Sequence, residues 1–321
     1  MKIVIADCSW GSIDIEKKFL PREAQVIACQ CKTENELLEV CRDADAVLSE
    51  YAPFTRSVLK EMKKCKIISN TAVGVDNIDI KAATEYHIAV ANVPDYCINE
   101  VADHTIALLL AANRNIVQYD RSVRENLWDI DVVPSMKRLN GQVLGLVGFG
   151  KIAQKVALRA MAFGLSVITY SPSIKADFIN AHNVKPVDID ELLRESDIIS
   201  SHMPLTEKTK DFFNKQTFSR MKKNPIFINT SRGKVVNETD LIEALKKGIL
   251  RAAALDVLAD EPPCFDSEIF KMDNVIITPH VGFYSEDALE EVRRRSALNI
   301  THFFNKKYDM INMLNLNSKD L

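Results

Sequence analysis

Gly148-Phe149-Gly150-Lys151-Ile152-Ala153 follows the apolar run Val143–Val147 and opens a segment of helical period at 152–163. A GxGxxG/A string alone says little. Between a strand and a helix it reads as a loop built to hold a pyrophosphate. Gly148 permits the tight turn, Gly150 lets the backbone approach a ligand, and Ala153 is small enough for the helix to lie close on a sheet. The N–H groups and positive dipole of the helix start then face the anion.

From this loop an alternation of short apolar runs and helical segments extends both ways. Downstream, strands are expected at 142–147, 167–170, 198–201, 226–229, 252–257 and 275–278, with helices near 152–163, 189–194, 215–220 and 238–247. Six strands in a row is the count of a complete dinucleotide-binding domain. Upstream, strands at 2–6, 25–29, 46–49, 66–70 and 88–92 alternate with helices near 13–20, 33–42, 57–62 and 79–85. That is a second, smaller α/β domain with a doubly wound parallel sheet. A long helix at 99–125, with Asn99 as its N-cap, stands between the two sets. Its length suits a linker or a dimer face. One last helix, from 285 to about 305, precedes a polar tail.

The composition agrees with two soluble domains. The chain has 321 residues, 47% of them hydrophobic and 26% charged, which excludes a disordered polymer. A formal net charge of −3 offers no general attraction to nucleic acid or to anionic lipid. The longest apolar run, 106–112, is too short to span a bilayer. The N-terminus reads as a strand rather than a signal peptide. Seven cysteines are scattered without a framework, and the pair Cys29-x-Cys31 has no second pair or histidine cluster to complete a zinc site. Reduced thiols, no metal and a cytoplasmic location are therefore expected.

In an open parallel sheet, ligands sit beyond the carboxyl ends of the strands. Three ionisable residues follow such ends: Arg232 after the strand at 226–229, Glu261 after 252–257, and His280 after 275–278. Their chemistry suits reduction of a 2-keto acid, which needs a hydride and a proton. His280 is the one that can shuttle a proton near neutral pH. Glu261 would hold the imidazole in one tautomer and favour its charged form. Arg232 offers a planar fork to a carboxylate. Asp256, nearer the sheet, could accept from a nicotinamide amide.

An acidic residue that holds the adenosine ribose is expected about 20 residues after the glycine loop. The strand at 167–170 runs instead into Ser171-Pro172-Ser173-Ile174-Lys175. Serine does not repel a 2′-phosphate, and Ser173 and Lys175 could contact one. NADP(H) is therefore expected to be accepted as well as NAD(H).

Taken together, Gly148-Phe149-Gly150, Arg232-Gly233, Leu255-Asp256-Val257 with Glu261-Pro262-Pro263, and Pro279-His280 strongly resemble the D-isomer-specific 2-hydroxyacid dehydrogenases. The segments at 70–79, 92–96, 100–104 and 284–286 are most like the branch that includes C-terminal-binding proteins. The resemblance spans essentially the whole chain. It implies a Rossmann cofactor domain at 99–285, inserted into a flavodoxin-like substrate domain made of 1–98 and 286–321. It implies Arg232, Glu261 and His280 as the catalytic set, and backbone N–H groups of Val73 and Gly74 as further substrate contacts. Cofactor contacts are implied at Thr105, Gly148, Phe149, Gly150, Lys151, Ile152, Ser171, Met203, Pro204, Thr209, Thr230, Ser231, Asp256 and Gly282. A homodimer through the helix 99–125 and the following segment is implied too, with Trp128 reaching the neighbouring subunit's cleft.

Ser171 stands where the family usually has Asp, Ala153 where a third Gly is commoner, and Phe283 where the C-terminal-binding branch often has Trp. With the sequence ending at Leu321, a serine-binding regulatory tail is not expected. Two function classes follow. One is an NAD(P)H-dependent oxidoreductase interconverting small 2-keto acids and D-2-hydroxy acids. The other is a dimeric binding or regulatory protein that uses NAD(H), as C-terminal-binding proteins do, with residual dehydrogenase activity.

Overall fold

A computed structural model describes residues 1–8, 10–134 and 136–317. The expected segment 286–321 thus ends in four residues, 318–321, that lie outside the described ones. The chain forms two units, Met1–Tyr96 with Ser285–Leu321, and Cys97–Tyr284. Among the described residues no helix is long and apolar enough to cross a membrane.

The first unit holds strands β1 (Lys2–Ile5), β2 (Gln25–Ala28), β3 (Ala46–Ser49), β4 (Ile67–Asn70) and β5 (Ala89–Ala91). They form one parallel sheet in the order β2-β1-β3-β4-β5. Strand side chains alternate between faces, and both faces are apolar, as a sheet covered on two sides requires. Val4, Val47, Ile68 and Val90 enter one core with Leu37, Val58, Leu59 and Ala82 from the helices Glu34–Cys41, Arg56–Glu61 and Ile80–Glu85. Ile3, Ile5, Leu48, Ile67 and Ala89 enter the other, with Ala297, Ile300 and Phe303 from the helix Glu286–Phe304. Thr33 and Glu36 close a reciprocal capping box on the helix Glu34–Cys41.

The expected polar tail is not loose as far as 317. Ile311 and Leu316 are buried, and Asn315 uses its side chain on the edge of β5, accepting from the Val90 N–H at 2.8 Å and donating to the Ile88 carbonyl at 2.9 Å. Asn315 reads as polar, but its side chain satisfies the backbone of an edge strand.

The second unit contains β6 (Val143–Val147), β7 (Ser166–Tyr170), β8 (Lys185–Pro186), β9 (Ile198–Ser201), β10 (Ile226–Asn229), β11 (Ala252–Leu255) and β12 (Val275–Ile277). These form a parallel sheet in the order β12-β11-β10-β9-β6-β7-β8. The sheet has seven strands where six were expected. The additional one, β8, is two residues long and contains a proline, which suits only an edge. Strand order reverses between β6 and β9, and that is where such sheets bind ligands.

The expected helix 99–125 is two helices, Ile98–Asn113 and Ile116–Arg124. Asn115 takes the left-handed conformation, φ 51°, and breaks the ladder between them. Asn99 is not the N-cap, which is Cys97; its side chain accepts instead from Arg159, at 3.3 Å, beside the Arg159–Asp103 ion pair at 2.6 Å.

Candidate active site

The glycine loop lies at the switch point, between the end of β6 and the helix Lys151–Ala162. Gly148 has φ 100°, and a Cβ on it would stand 2.6 Å from the His202 carbonyl oxygen after β9. Only glycine fits there. A Cβ on Gly150, the N-cap of the helix, would meet no atom within 4 Å, so the backbone at the helix start lies open to a ligand. Ala153 is fully buried against the sheet. These features fit a nucleotide pyrophosphate held on backbone N–H groups. The Phe149 side chain points away from such a ligand: it is 1% exposed and packs edge-on to His182.

Ser171 follows β7 and its carbonyl closes a turn with the Ile174 N–H; Ser173 and Lys175 are exposed beside it. Met203 is largely buried and Pro204 exposed. Thr209 has a structural task, accepting from the Thr206 N–H at 2.8 Å and donating to the Pro204 carbonyl at 2.6 Å. Thr105, expected as a cofactor contact, has no exposed surface. Its hydroxyl donates to the Val101 carbonyl at 2.7 Å and lies 2.9 Å from the Thr230 hydroxyl, which it supports from below.

After β10, Asn229 organises the loop that carries Arg232. Its buried side chain accepts from the N–H and hydroxyl of Ser231, at 3.0 and 2.8 Å, and donates to the Arg232 carbonyl at 2.9 Å. The Ser231 hydroxyl also meets that of Ser201, at 3.1 Å. Sequence reading passed over Asn229, because nothing in it distinguishes an organising asparagine from a strand-end one. The Arg232 guanidinium is half-buried and donates to the Ser231 carbonyl at 2.8 Å.

Gly233 brings this loop against the next. A Cβ there would stand 1.8 Å from the Leu258 carbonyl oxygen, so the two backbones touch where no side chain could intervene. The Leu258 N–H donates to Glu261 Oε1 at 3.0 Å, and Glu261 Oε2 lies 2.6 Å from Nδ1 of His280. Burial alone pushes the Glu261 carboxyl up, but the hydrogen bond and charge of His280, with the Leu258 N–H, bring it below the ordinary carboxylate range. The imidazole is about one third exposed, 35%, and meets the Phe283 ring edge-on.

Asp256 does more than its strand-end position suggests. It is 3% exposed and accepts from the Thr278 hydroxyl and from the N–H groups of Val281 and Gly282. Burial raises its carboxyl, yet bonds from His104, Thr278 and these amides hold it below its ordinary value. Because the Gly282 N–H is spent on Asp256, only the carbonyl of Gly282 is left for a cofactor.

In the first unit, Val73 and Gly74 follow β4. Their carbonyls accept from Asn92, at 2.6 Å, and from Asn70, at 2.6 Å, side chains that fix the turn.

The chain is similar to known proteins. Residues 106–282 match the family model described as D-isomer specific 2-hydroxyacid dehydrogenase, NAD binding domain. A glyoxylate reductase of Thermococcus litoralis is 41% identical over 274 residues, which is 83% of this chain and 82% of that protein. The chain belongs to the D-isomer specific 2-hydroxyacid dehydrogenase family. Another member, a D-3-phosphoglycerate dehydrogenase of Methanocaldococcus jannaschii, is 42% identical over 273 residues, 84% of this chain. The match spans only about half of that longer relative, 52%. Among solved members, the Aquifex aeolicus D-lactate dehydrogenase complexed with NAD and lactic acid superposes with a TM-score of 0.87 at 28% identity, covering 98% of this chain and 99% of that one. The family's parallel-sheet architecture, with a Rossmann domain, is thus the architecture of this chain.

Proposed function

We propose that this chain reduces small 2-keto acids to D-2-hydroxy acids, using NAD(H) or NADP(H). The observation that carries the reading is the 2.6 Å contact between His280 Nδ1 and Glu261 Oε2, on strand ends of the sheet that bears the glycine loop. When bound, a nicotinamide nucleotide supplies the hydride. His280, held at Nδ1, keeps Nε2 to give a proton to the substrate oxygen that becomes the hydroxyl. Glu261 fixes the tautomer and the orientation of the ring, so that Nε2 is the nitrogen turned to the keto acid. Arg232 pairs with the substrate carboxylate, and the N–H groups of Val73 and Gly74 are proposed as further donors to it. The start of the helix Lys151–Ala162 holds the pyrophosphate.

Ser171, with no carboxylate at its position, supports acceptance of NADPH. A panel of glyoxylate, hydroxypyruvate, pyruvate and longer aliphatic keto acids, run with NADH and with NADPH, tests the whole reading. Turnover of at least one acid is expected. Turnover of none would favour a binding protein of the C-terminal-binding type. An NADH preference above about a hundredfold would remove the inference from Ser171, since a tolerated 2′-phosphate leaves no such gap.

The segment after Asn115 supports a homodimer. Trp128 is 90% exposed and Ile130 79%, with Ile116, Val123 and Leu127 also exposed, large apolar side chains of the kind that subunit contacts cover. Sedimentation equilibrium of the wild type and Trp128→Ser checks this, and a monomeric wild type would contradict it. A cytoplasmic location, read from the sequence, is checked by cell fractionation.

A further inference from the structure

His280 sits at φ 53°, where a residue with a side chain crowds its own backbone. Such a conformation persists only where its surroundings over-determine it. Asp256 supplies most of the restraint. Its backbone carbonyl accepts from the His280 N–H at 2.8 Å, its Oδ1 from the Val281 N–H at 2.9 Å, and its Oδ2 from the Gly282 N–H at 2.9 Å. Three consecutive amides are thereby gathered on one buried residue.

The hydroxyl of Thr278 gives its single hydrogen to the same Oδ1, at 2.5 Å. Thr278 Oγ1 can then only accept from a further partner. That partner is Nε2 of His104, 2.9 Å from Thr278 Oγ1 and 3.3 Å from Asp256 Oδ1. The direction of the Thr278 bond therefore requires a hydrogen on Nε2 of His104. His104 comes from the helix Ile98–Asn113, and its Cδ2 would stand 3.3 Å from a Cβ on Gly282.

We propose that His104 is a positioning residue: its Nε2–H, passed through Thr278 to Asp256, locks the 278–282 turn that holds the His280 imidazole against Glu261. The inference rests on the reading of His280 as proton donor. Without the His104 donor, Thr278 Oγ1 loses the hydrogen bond that orients it and Asp256 Oδ1 loses the imidazole 3.3 Å away. The turn can then relax toward negative φ and carry the ring away from Glu261.

The test compares His104→Leu, His104→Gln and Thr278→Val in the full chain. His104→Leu is expected to lower kcat roughly tenfold to a hundredfold, the cost of a misplaced reacting group, with KM for the keto acid little changed. His104→Gln, whose amide N–H can occupy the place of Nε2–H, is expected to recover most of that loss. Thr278→Val should reproduce the loss, and the double variant His104→Leu/Thr278→Val should be no worse than either single one, as for two links of one chain. Wild-type kcat in His104→Leu, no recovery with glutamine, or additive losses would overturn the proposal. If His104→Leu fails to fold, the near-isosteric Thr278→Val carries the test. NMR of the His280 Nδ1–H gives a readout independent of turnover. Its strongly deshielded signal should be present in the wild type and His104→Gln and lost in His104→Leu; its survival in His104→Leu would overturn the proposal. A wild type that shows this signal but reduces no keto acid would instead sink the reading of the site.

Discussion

Glu261 joins His280 to the backbone of its own loop: one carboxylate oxygen lies 2.6 Å from Nδ1 of His280 and the other accepts from the Leu258 N–H at 3.0 Å. Both oxygens are committed, so the carboxylate can neither rotate nor leave without breaking a bond. The imidazole is aimed by a group that is itself aimed.

Glu261→Gln keeps the shape and removes the charge. Its kcat for keto-acid reduction should fall by at least roughly tenfold, because a neutral amide no longer gives Nδ1 of His280 the charge-assisted bond that holds the ring. The same substitution has a pH signature in stability. The folded-state carboxyl lies below the ordinary range, so its contribution is present above the unfolded value and lost as pH falls through the folded one. Chemical denaturation should show the wild type ahead of the variant at pH 7, with the gap closing through about pH 4 and below. A gap that widens on acidification would contradict the pairing.

Gly233→Ala tests the contact between the Arg232 loop and the Leu258 loop. The new methyl would stand 1.8 Å from a backbone oxygen, with no flexible side chain to yield. A loss of about 1–3 kcal/mol or more is expected from such overpacking, together with a raised KM for the keto acid as Arg232 shifts. Thermal denaturation and steady-state kinetics check both parts. An unchanged melting temperature would mean that the loops do not touch.

Much of the arrangement could be read before any coordinates. The apolar runs placed eleven of the twelve strands among the described residues, since a covered parallel strand is a short continuous apolar block between turns. What escaped did so for physical reasons. The strand β8 pairs through two residues and carries a proline, so it has no run to see. Asn115 breaks a helix by a backbone choice that asparagine tolerates but does not announce. Arg232, Glu261 and His280 stood out because each carries a charge or proton beside a strand end. Asn229, Thr278 and the anchoring role of Asp256 did not, because they act through bonds to backbone that exist only once the loops are folded. Thr105 is visible in the sequence as a motif position, but its burial and its bond to Thr230 are not.

In the first unit, Arg293 and Glu16 form a two-pronged ion pair, at 2.6 and 2.8 Å, with side chains 10% and 4% exposed. The Arg293 guanidinium also lies 5.6 Å from the centre of the Trp10 ring. Arg293→Met leaves a buried carboxylate without its partner and should cost about 3–5 kcal/mol. Urea denaturation measures this. A variant as stable as the wild type would show that methionine packing replaces the pair in full.

The central claim is that His280 delivers the proton to the reduced keto acid. Steady-state kinetics of His280→Ala, on the keto acid that the wild type reduces best and with saturating nucleotide, test it most directly. The account predicts a fall in kcat of about 10²–10⁴ with nucleotide binding intact. A variant that keeps near-wild-type kcat/KM would contradict it.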